Sequence, residues 1–137
     1  MDPATILGMI ASSAKIAHQI YSFTIAVKHA PSEVQDLTQE LLAVANVLEM
    51  LRTHLEQERA KGREFHRTSV IFSSVDGCNK QLVEIHKKLS PVASGGRVTR
   101  FINRLKWPLT HQETMDAMAA LHRYVQLFHF AVSIDGL

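Results

Sequence analysis

Apolar residues recur along one stretch of this chain at alternating spacings of three and four residues. The stretch runs from Val34 to Leu55, and nothing interrupts the alternation. Its apolar positions are Val34, Leu37, Leu41, Val44, Leu48, Leu51 and Leu55. Because an α-helix turns about once every 3.6 residues, this spacing keeps the side chains on one face, where they need a partner surface. The stretch is therefore predicted to form one helix of a helical bundle.

Two later segments repeat the same spacing. The first carries Ile71, Val75, Cys78, Leu82, Ile85 and Leu89, and the second carries Met118, Leu121, Val125, Phe128 and Val132. Each pattern predicts a long helix with a narrow apolar seam. Together with an apolar N-terminal helix, they predict an all-α fold: an up-down helical bundle of four main helices plus a short basic amphipathic helix.

The N-terminal segment is the most apolar part of the chain. A helix is predicted from Pro3, with Asp2 as its N-cap, to about Lys28, because Pro31 ends it. Between Pro3 and Val27, Lys15 is the single fixed charge, and apolar residues lie almost all round the helix axis. Two interpretations are open. The helix is the central one of the bundle, enclosed on all sides, and this is its whole role, or it also leaves that packed place to enter a bilayer when molecules cluster. The two are compatible, because a switch needs a resting state.

Small residues along this helix bear on the second interpretation. Ala4, Gly8 and Ser12 recur every four residues, which makes a smooth groove where another helix can approach closely. The residues expected to insert into a membrane are Ile6, Leu7, Gly8, Ile10 and Ser12.

Two helix starts carry the sequence pattern of a capping box, in which two side chains reciprocally bond the backbone N–H groups of the first turn. Ser32 followed by Gln35 predicts one at the start of the second helix. Thr110 followed by Glu113 predicts another at the start of the last helix.

Helix ends are predicted from glycine and proline. The second helix is predicted to run to about Lys61, with Gly62 as its C-terminal cap. The third is predicted to end at Leu89, before Pro91. The last helix is predicted to run to about Ser133.

A basic stretch separates the third helix from the last one, with no acidic residue from Ile85 through Gln112. Its positive residues are Lys87, Lys88, Arg97, Arg100, Arg104 and Lys106. Arg97 to Trp107 is predicted to form the short amphipathic helix. The basic residues either face anionic lipid or form a solvated surface without a partner. In the first case, attraction to the lipid contributes about 1 kcal/mol of binding free energy for each basic residue near the membrane. Trp107 is either an interfacial anchor or a structural cap on the bundle.

Composition limits the class of protein. The chain has 137 residues, which fits one domain spanning 1–137, and its formal net charge of +2 is too small to argue for nucleic-acid binding. The single cysteine, Cys78, excludes an intrachain disulfide and favours a reducing compartment, so a cytoplasmic protein is expected. The N-terminal segment lacks the positive residues of a signal peptide.

No pattern in the chain predicts catalysis or cofactor binding. None of the eight histidines falls in a zinc-ligand spacing. Cys78 lies on an apolar seam, where a thiol is usually inert, and Gly95-Gly96 lacks the Lys-Ser/Thr of a phosphate-binding loop. We therefore expect no enzyme activity and no catalytic, cofactor or metal site.

One combination of segments resembles a known family. The apolar N-terminal helix (Ile6 to Ala17), the Leu-rich helix (Leu37 to Leu51) and Arg104-Leu105-Lys106-Trp107-Pro108 before a helix starting at Thr110 resemble the HeLo-like N-terminal domain of fungal NOD-like (STAND) receptors. That family is related to the HET-s/LopB HeLo domain. It is similar to the four-helix bundle of mixed-lineage kinase-like pseudokinases and to the coiled-coil domains of plant resistance proteins. The resemblance covers nearly the whole chain, and its most specific part is the basic-Leu-basic-Trp-Pro motif.

The resemblance implies a cell-death execution domain that is the N-terminal part of a longer protein. In such proteins a downstream nucleotide-binding or amyloid-forming region drives oligomerisation, and the N-terminal helix then helps to permeabilise the membrane. The matching positions here are Ile6, Leu7, Gly8 and Ile10, together with Arg100, Arg104 and Lys106.

The expected partners are anionic membrane lipids, other copies of the chain and the downstream region in cis, with no nucleic acid. The expected location is the cytoplasm, with relocation to the plasma membrane on activation. The alternative function is a non-lytic adaptor module of an immune-type receptor, which binds other proteins through its helices and never meets lipid.

Overall fold

The structure, a computed structural model, describes residues 3–27, 29–62, 68–93 and 107–135. These residues form four helices: α1 (Pro3–Ala26), α2 (Glu33–Ala60), α3 (Thr68–Ala93) and α4 (His111–Asp135). No strand occurs in the described ranges, so the predicted all-α class is confirmed. The short helix predicted from Arg97 to Trp107 lies outside the described residues, except for Trp107 itself, which is not helical.

The four helices pack in pairs around a common core. α1 packs on α2 and α3, and α4 packs on the same two helices. Side-chain hydrogen bonds join His111 to Glu33 and His122 to Glu40, so α2 and α4 run in the same direction. These contacts are compatible with an up-down order in which α2 and α3 lie at opposite corners of the bundle.

The apolar stripes of α2 and α3 form most of the core. All seven stripe residues of α2 and all six of α3 are buried, as their spacing predicts. The α2 stripe is widened by Ala45 and Val47, both also buried. Among the described side chains, α2 therefore contributes the most buried apolar residues to the core.

The predicted stripe of α4 is only partly correct. Leu121 and Phe128 are buried, whereas Met118, Val125 and Val132 pack against the core from its edge and are half-exposed. Smaller side chains complete the inner face of α4, namely Thr114, Ala117 and Ala120. The sequence pattern misses them because a helix can approach its neighbours closely through small residues, which carry little apolar signal.

α1 is not enclosed on all sides, so the prediction of a central helix is wrong. Its buried residues are Ile6, Ile10, Ser13, Ala14, Ala17, Ile20 and Thr24, all on one face. The opposite face is exposed, because the neighbours of α1 in the described ranges are α2 and α3 and neither of them covers it. The most enclosed helix is α2.

The capping box before α4 is confirmed. The backbone N–H of Thr110 donates to Glu113 Oε1, and the backbone N–H of Glu113 donates to Thr110 Oγ1, both at 3.0 Å. At the other end of the bundle, Gly62 caps α2 as predicted: its φ is +71°, which favours glycine, and its N–H donates to the carbonyl of Arg59.

The capping box at Ser32 is wrong. Ser32 already has helical backbone angles, with φ −59° and ψ −32°, and its side chain makes no capping hydrogen bond. The backbone supplies the bonds instead, since the N–H of Val34 donates to the Pro31 carbonyl and that of Gln35 to the Ser32 carbonyl. With a helical backbone, Ser32 cannot place its hydroxyl over the amides of the first turn.

The predicted end of α3 at Leu89 is also wrong, because the helix continues past Pro91 to Ala93. Proline removes one backbone donor, and in the last turn of a helix this costs a single hydrogen bond. Further back in α3, Gly77 faces α4: a Cβ placed there would lie 2.5 Å from Tyr124 Oη. The glycine lets the tyrosine of α4 lie directly against the backbone of α3.

Candidate functional site

The outer face of α1 is exposed and takes no part in the core. Its exposed residues are Ala4, Thr5, Gly8, Ala11, Ser12, Lys15, His18, Gln19, Ser22, Ile25 and Ala26. Lys15 is the single fixed charge in the helix. The outer face of α2, by contrast, carries Arg52 paired with both Glu49 and Glu56. α1 is thus a bundle helix whose solvent side lacks the charges that such a side normally carries.

The inner face of α1 is attached mainly through aliphatic side chains. Ile6, Ile10 and Ile20 are fully buried. A side-chain hydrogen bond joins this face to α3, from Asn79 Nδ2 to Ser13 Oγ at 2.9 Å. The Ser13 hydroxyl in turn donates to the carbonyl of Met9 within α1. The Asn79–Ser13 bond fixes the register of α1 against α3.

The residues expected to insert into a membrane are divided between the two faces. Ile6 and Ile10 point into the core, and Leu7 is half-buried at its edge. Gly8 and Ser12 are exposed, and a Cβ added to Gly8 would meet no atom within 4 Å. The proposed groove of small residues therefore lies on the outer face, away from the other helices.

Of the six basic residues, the structure places two. Lys87 is exposed, and Lys88 Nζ lies 3.1 Å from Glu113 Oε2, so its charge is shared with a carboxylate of α4. Hydrogen bonds from the backbone of Thr110 and from Lys88 hold the pKa of Glu113 below its usual range. The other four lie outside the described residues: Arg97, Arg100, Arg104 and Lys106.

Trp107 joins the start of α4 to α1. Its indole Nε1–H donates to Thr114 Oγ1 at 2.9 Å, and its ring centroid lies 6.0 Å from that of Phe23 at an interplanar angle of 42°. The side chain is half-buried against the core. This geometry favours the structural alternative for Trp107 over the interfacial one.

Two contacts between α2 and α4 could not be found from local spacing. His111 Nδ1 lies 3.0 Å from Glu33 Oε1, and His122 Nδ1 lies 3.1 Å from Glu40 Oε1. The hydrogen bond with His111 holds the pKa of Glu33 below its usual range. The partners are distant in the sequence, so only the packing of parallel α2 and α4 brings them together.

Cys78 is held away from thiol chemistry by its position. It is fully buried on the inner face of α3, and burial raises the pKa of its thiol to about 12. The thiolate is the reactive form of cysteine, so the folded chain offers no nucleophile at this position.

Two kinds of site are not found in the part of the chain that the structure describes. No three His, Cys, Asp or Glu side chains there come together as a group that could hold a metal ion. None of the described helices combines the length and apolar character that a membrane crossing requires.

Comparison of the chain with protein-family models, with curated proteins and with solved structures gave no match.

Proposed function

We propose that this chain is a cell-death execution domain that binds anionic membranes after self-association and permeabilises them through α1. The main support is the outer face of α1, which has one fixed charge among eleven exposed residues. A helix that is apolar on its inner face and nearly uncharged on its outer face can exchange a protein environment for a lipid one without burying many charges.

The attachment of α1 to the bundle also fits such an exchange. Each buried isoleucine contributes about 1.5–3 kcal/mol through removal from water, and the hydrocarbon of a bilayer removes it from water equally well. The hydrogen bond between Asn79 and Ser13 contributes only about 0.5–1.5 kcal/mol net. Most of what holds α1 in the bundle can therefore be replaced by lipid.

The basic residues and the sequence resemblance complete the proposal. We place Arg97, Arg100, Arg104 and Lys106 on a short amphipathic helix that follows α3 in the up-down bundle, where with Lys87 they attract anionic lipid. As in the HeLo-like domains that the sequence resembles, a downstream nucleotide-binding or amyloid-forming region in cis would drive assembly. The protein would then move from the cytoplasm to the plasma membrane.

A charge on the outer face of α1 tests this proposal without disturbing the core. Ala11 is exposed on α1 and Ala119 is exposed on α4, so each tolerates aspartate equally well in the folded bundle. Clustered through a C-terminal oligomerising tag, Ala11→Asp should release dye from anionic vesicles at least about tenfold more slowly than the unsubstituted chain, because a charge at the centre of an inserted helix costs about 2.5–3.5 kcal/mol.

Ala119→Asp is the matched control and should leak at the unsubstituted rate. Equal leakage by the two variants, with both folded by circular dichroism, would contradict insertion of α1. Ile10→Lys is a poorer test because Ile10 is completely buried, so its loss of activity would report unfolding.

A specific observation favours the adaptor function as the second candidate. Leu127 and Phe130, one turn apart on α4, are 43% and 62% exposed. Residues three apart on a helix are neighbours, so the two side chains form one small apolar patch, and contiguous apolar patches mark protein contacts. Co-sedimentation with anionic vesicles separates the two functions, because attraction through basic residues weakens as salt is raised, and an adaptor does not sediment with vesicles at any salt concentration.

A further inference from the structure

Trp107 lies between two helices whose backbones stay apart. In the described ranges α1 and α4 each pack on α2 and α3 and contribute side chains to the same core, but they do not pack directly on each other. Trp107, three residues before Thr110, touches both: its ring lies against Phe23 in the last turn of α1, and its indole N–H binds Thr114 in the first turn of α4. No other described aromatic pair joins two different elements of the chain.

The α4 side of this contact is rigid. Thr114 is fully buried, and its hydroxyl donates to the carbonyl of Thr110 while it accepts the indole N–H. Thr110 in turn forms the capping box with Glu113. The indole is thus oriented by a hydroxyl whose own position is fixed by the start of α4.

The α1 side of the contact is the weaker one. Phe23 is half-buried. The neighbouring Thr24 makes no polar link to another described helix, since its hydroxyl donates to the carbonyl of Tyr21 within α1. The register bond from Asn79 reaches α1 at Ser13, nearly three turns before Phe23. Alongside the buried Ile20 and Thr24, the aromatic contact is therefore the attachment that joins the C-terminal end of α1 to the start of α4.

We propose that Trp107 is an autoinhibitory latch that holds the C-terminal end of α1 in the bundle. The inference rests on the proposed function, since it names the contact that must open before α1 can leave. Opening the Phe23–Trp107 contact loosens the C-terminal end of α1, which then depends on the buried Ile20 and Thr24, while α2, α3 and α4 keep their mutual contacts. The latch is a packing contact and takes no part in lipid binding itself.

Hydrogen exchange of the full chain without lipid tests the latch. Trp107→Leu and Phe23→Leu each remove the ring contact and keep an apolar side chain, so each should raise exchange of α1 amides between residues 16 and 26 about tenfold, the effect of losing one aromatic contact. The double variant should add little to either single variant, because both remove one shared contact. Phe130→Leu, which changes an exposed ring on α4, should leave α1 unchanged.

Trp107→Phe keeps an aromatic ring and removes the indole donor. It is the milder substitution, so it keeps the test available if Trp107→Leu fails to fold. It should raise exchange in α1 less than Trp107→Leu does. Unchanged exchange in α1, or an equal rise in all four helices, would overturn the latch.

Dye release from anionic vesicles then separates the latch from the proposed function. Trp107→Leu should leak at a lower protein concentration than the unsubstituted chain. If α1 exchanges faster but no variant leaks, the latch stands and membrane permeabilisation is wrong. If the unsubstituted chain leaks and Trp107→Leu neither leaks sooner nor exchanges faster, permeabilisation stands and the latch is wrong.

Discussion

Leu42 and Leu48 are both leucines of α2, but one side chain is exposed and the other is buried. Leu48 is fully buried on the apolar stripe of α2, whereas Leu42 is 41% exposed outside it. The stripe therefore assigns different energetic roles to two leucines that composition cannot distinguish. In α3 too, every position of the apolar stripe is buried.

Truncating these two leucines tests that assignment. Leu48→Ala should lower the free energy of unfolding by about 2–5 kcal/mol because it opens a cavity in the core. Leu42→Ala should lower it by about 0.5 kcal/mol or less, as is usual for a surface position. Urea unfolding followed by circular dichroism measures both values, and equal losses for the two variants would contradict the placement of the core.

Gly77 illustrates what a single residue does not reveal by its type. In the sequence it is a residue of low helix propensity within a long helix, which predicts only a local weakness. In the bundle it provides the space for the hydroxyl end of Tyr124. This role depends on the distance between α3 and α4, and local spacing carries no information on that distance.

At the scale of elements, the two predicted capping boxes show that the same sequence pattern can form the cap at one helix and not at another. Both have a hydroxyl residue followed three positions later by Glu or Gln, yet only the one at Thr110 forms. The difference lies in the backbone: Ser32 is already helical, and the chain before it supplies the Pro31 carbonyl as an acceptor. Backbone angles of a residue next to proline are not written in the capping pattern.

Alanine substitution at the two positions tests this difference. Thr110→Ala should lower the free energy of unfolding by about 1 kcal/mol, the usual loss when a side-chain cap is removed. Ser32→Ala should change it by a few tenths of that amount, because the Ser32 hydroxyl bonds no amide of the first turn. Thermal and urea unfolding of both variants measure the effect, and a larger loss at Ser32 than at Thr110 would show that the predicted box exists after all.

α1 shows the limit of composition for a whole element. Its apolar content predicted either a central helix or one able to enter lipid, and the structure places it on the outside of the bundle. The residues that decided this are small ones, since Gly8, Ala11 and Ser12 on the outer face count as neither clearly apolar nor clearly polar. For α2 and α3, large aliphatic residues at regular spacing left no such ambiguity.

For the molecule as a whole, periodicity predicts the number of helices and their inner faces but not their neighbours. The contacts Asn79–Ser13, His111–Glu33 and Trp107–Phe23 each join residues far apart in the sequence. Their formation depends on the order of helices around the core, and many orders satisfy the same apolar stripes. The candidate site was therefore predicted as a helix, while its open face and its attachments were not.

A reversible cross-link between α1 and α3 tests the central claim that α1 leaves the bundle for lipid. The side chains of Ser13 and Asn79 meet at 2.9 Å, so Ser13→Cys with Asn79→Cys, in a Cys78→Ala background, puts one thiol on each helix at facing positions, where a short thiol-reactive linker that contains a disulfide can join them. Dye release from anionic vesicles is measured for the clustered protein before and after reduction of the linker, with the cross-link verified by mass spectrometry. We predict sealed vesicles with the cross-linked protein and leakage once the linker is reduced. Equal leakage in both states, or none in either, would contradict the claim.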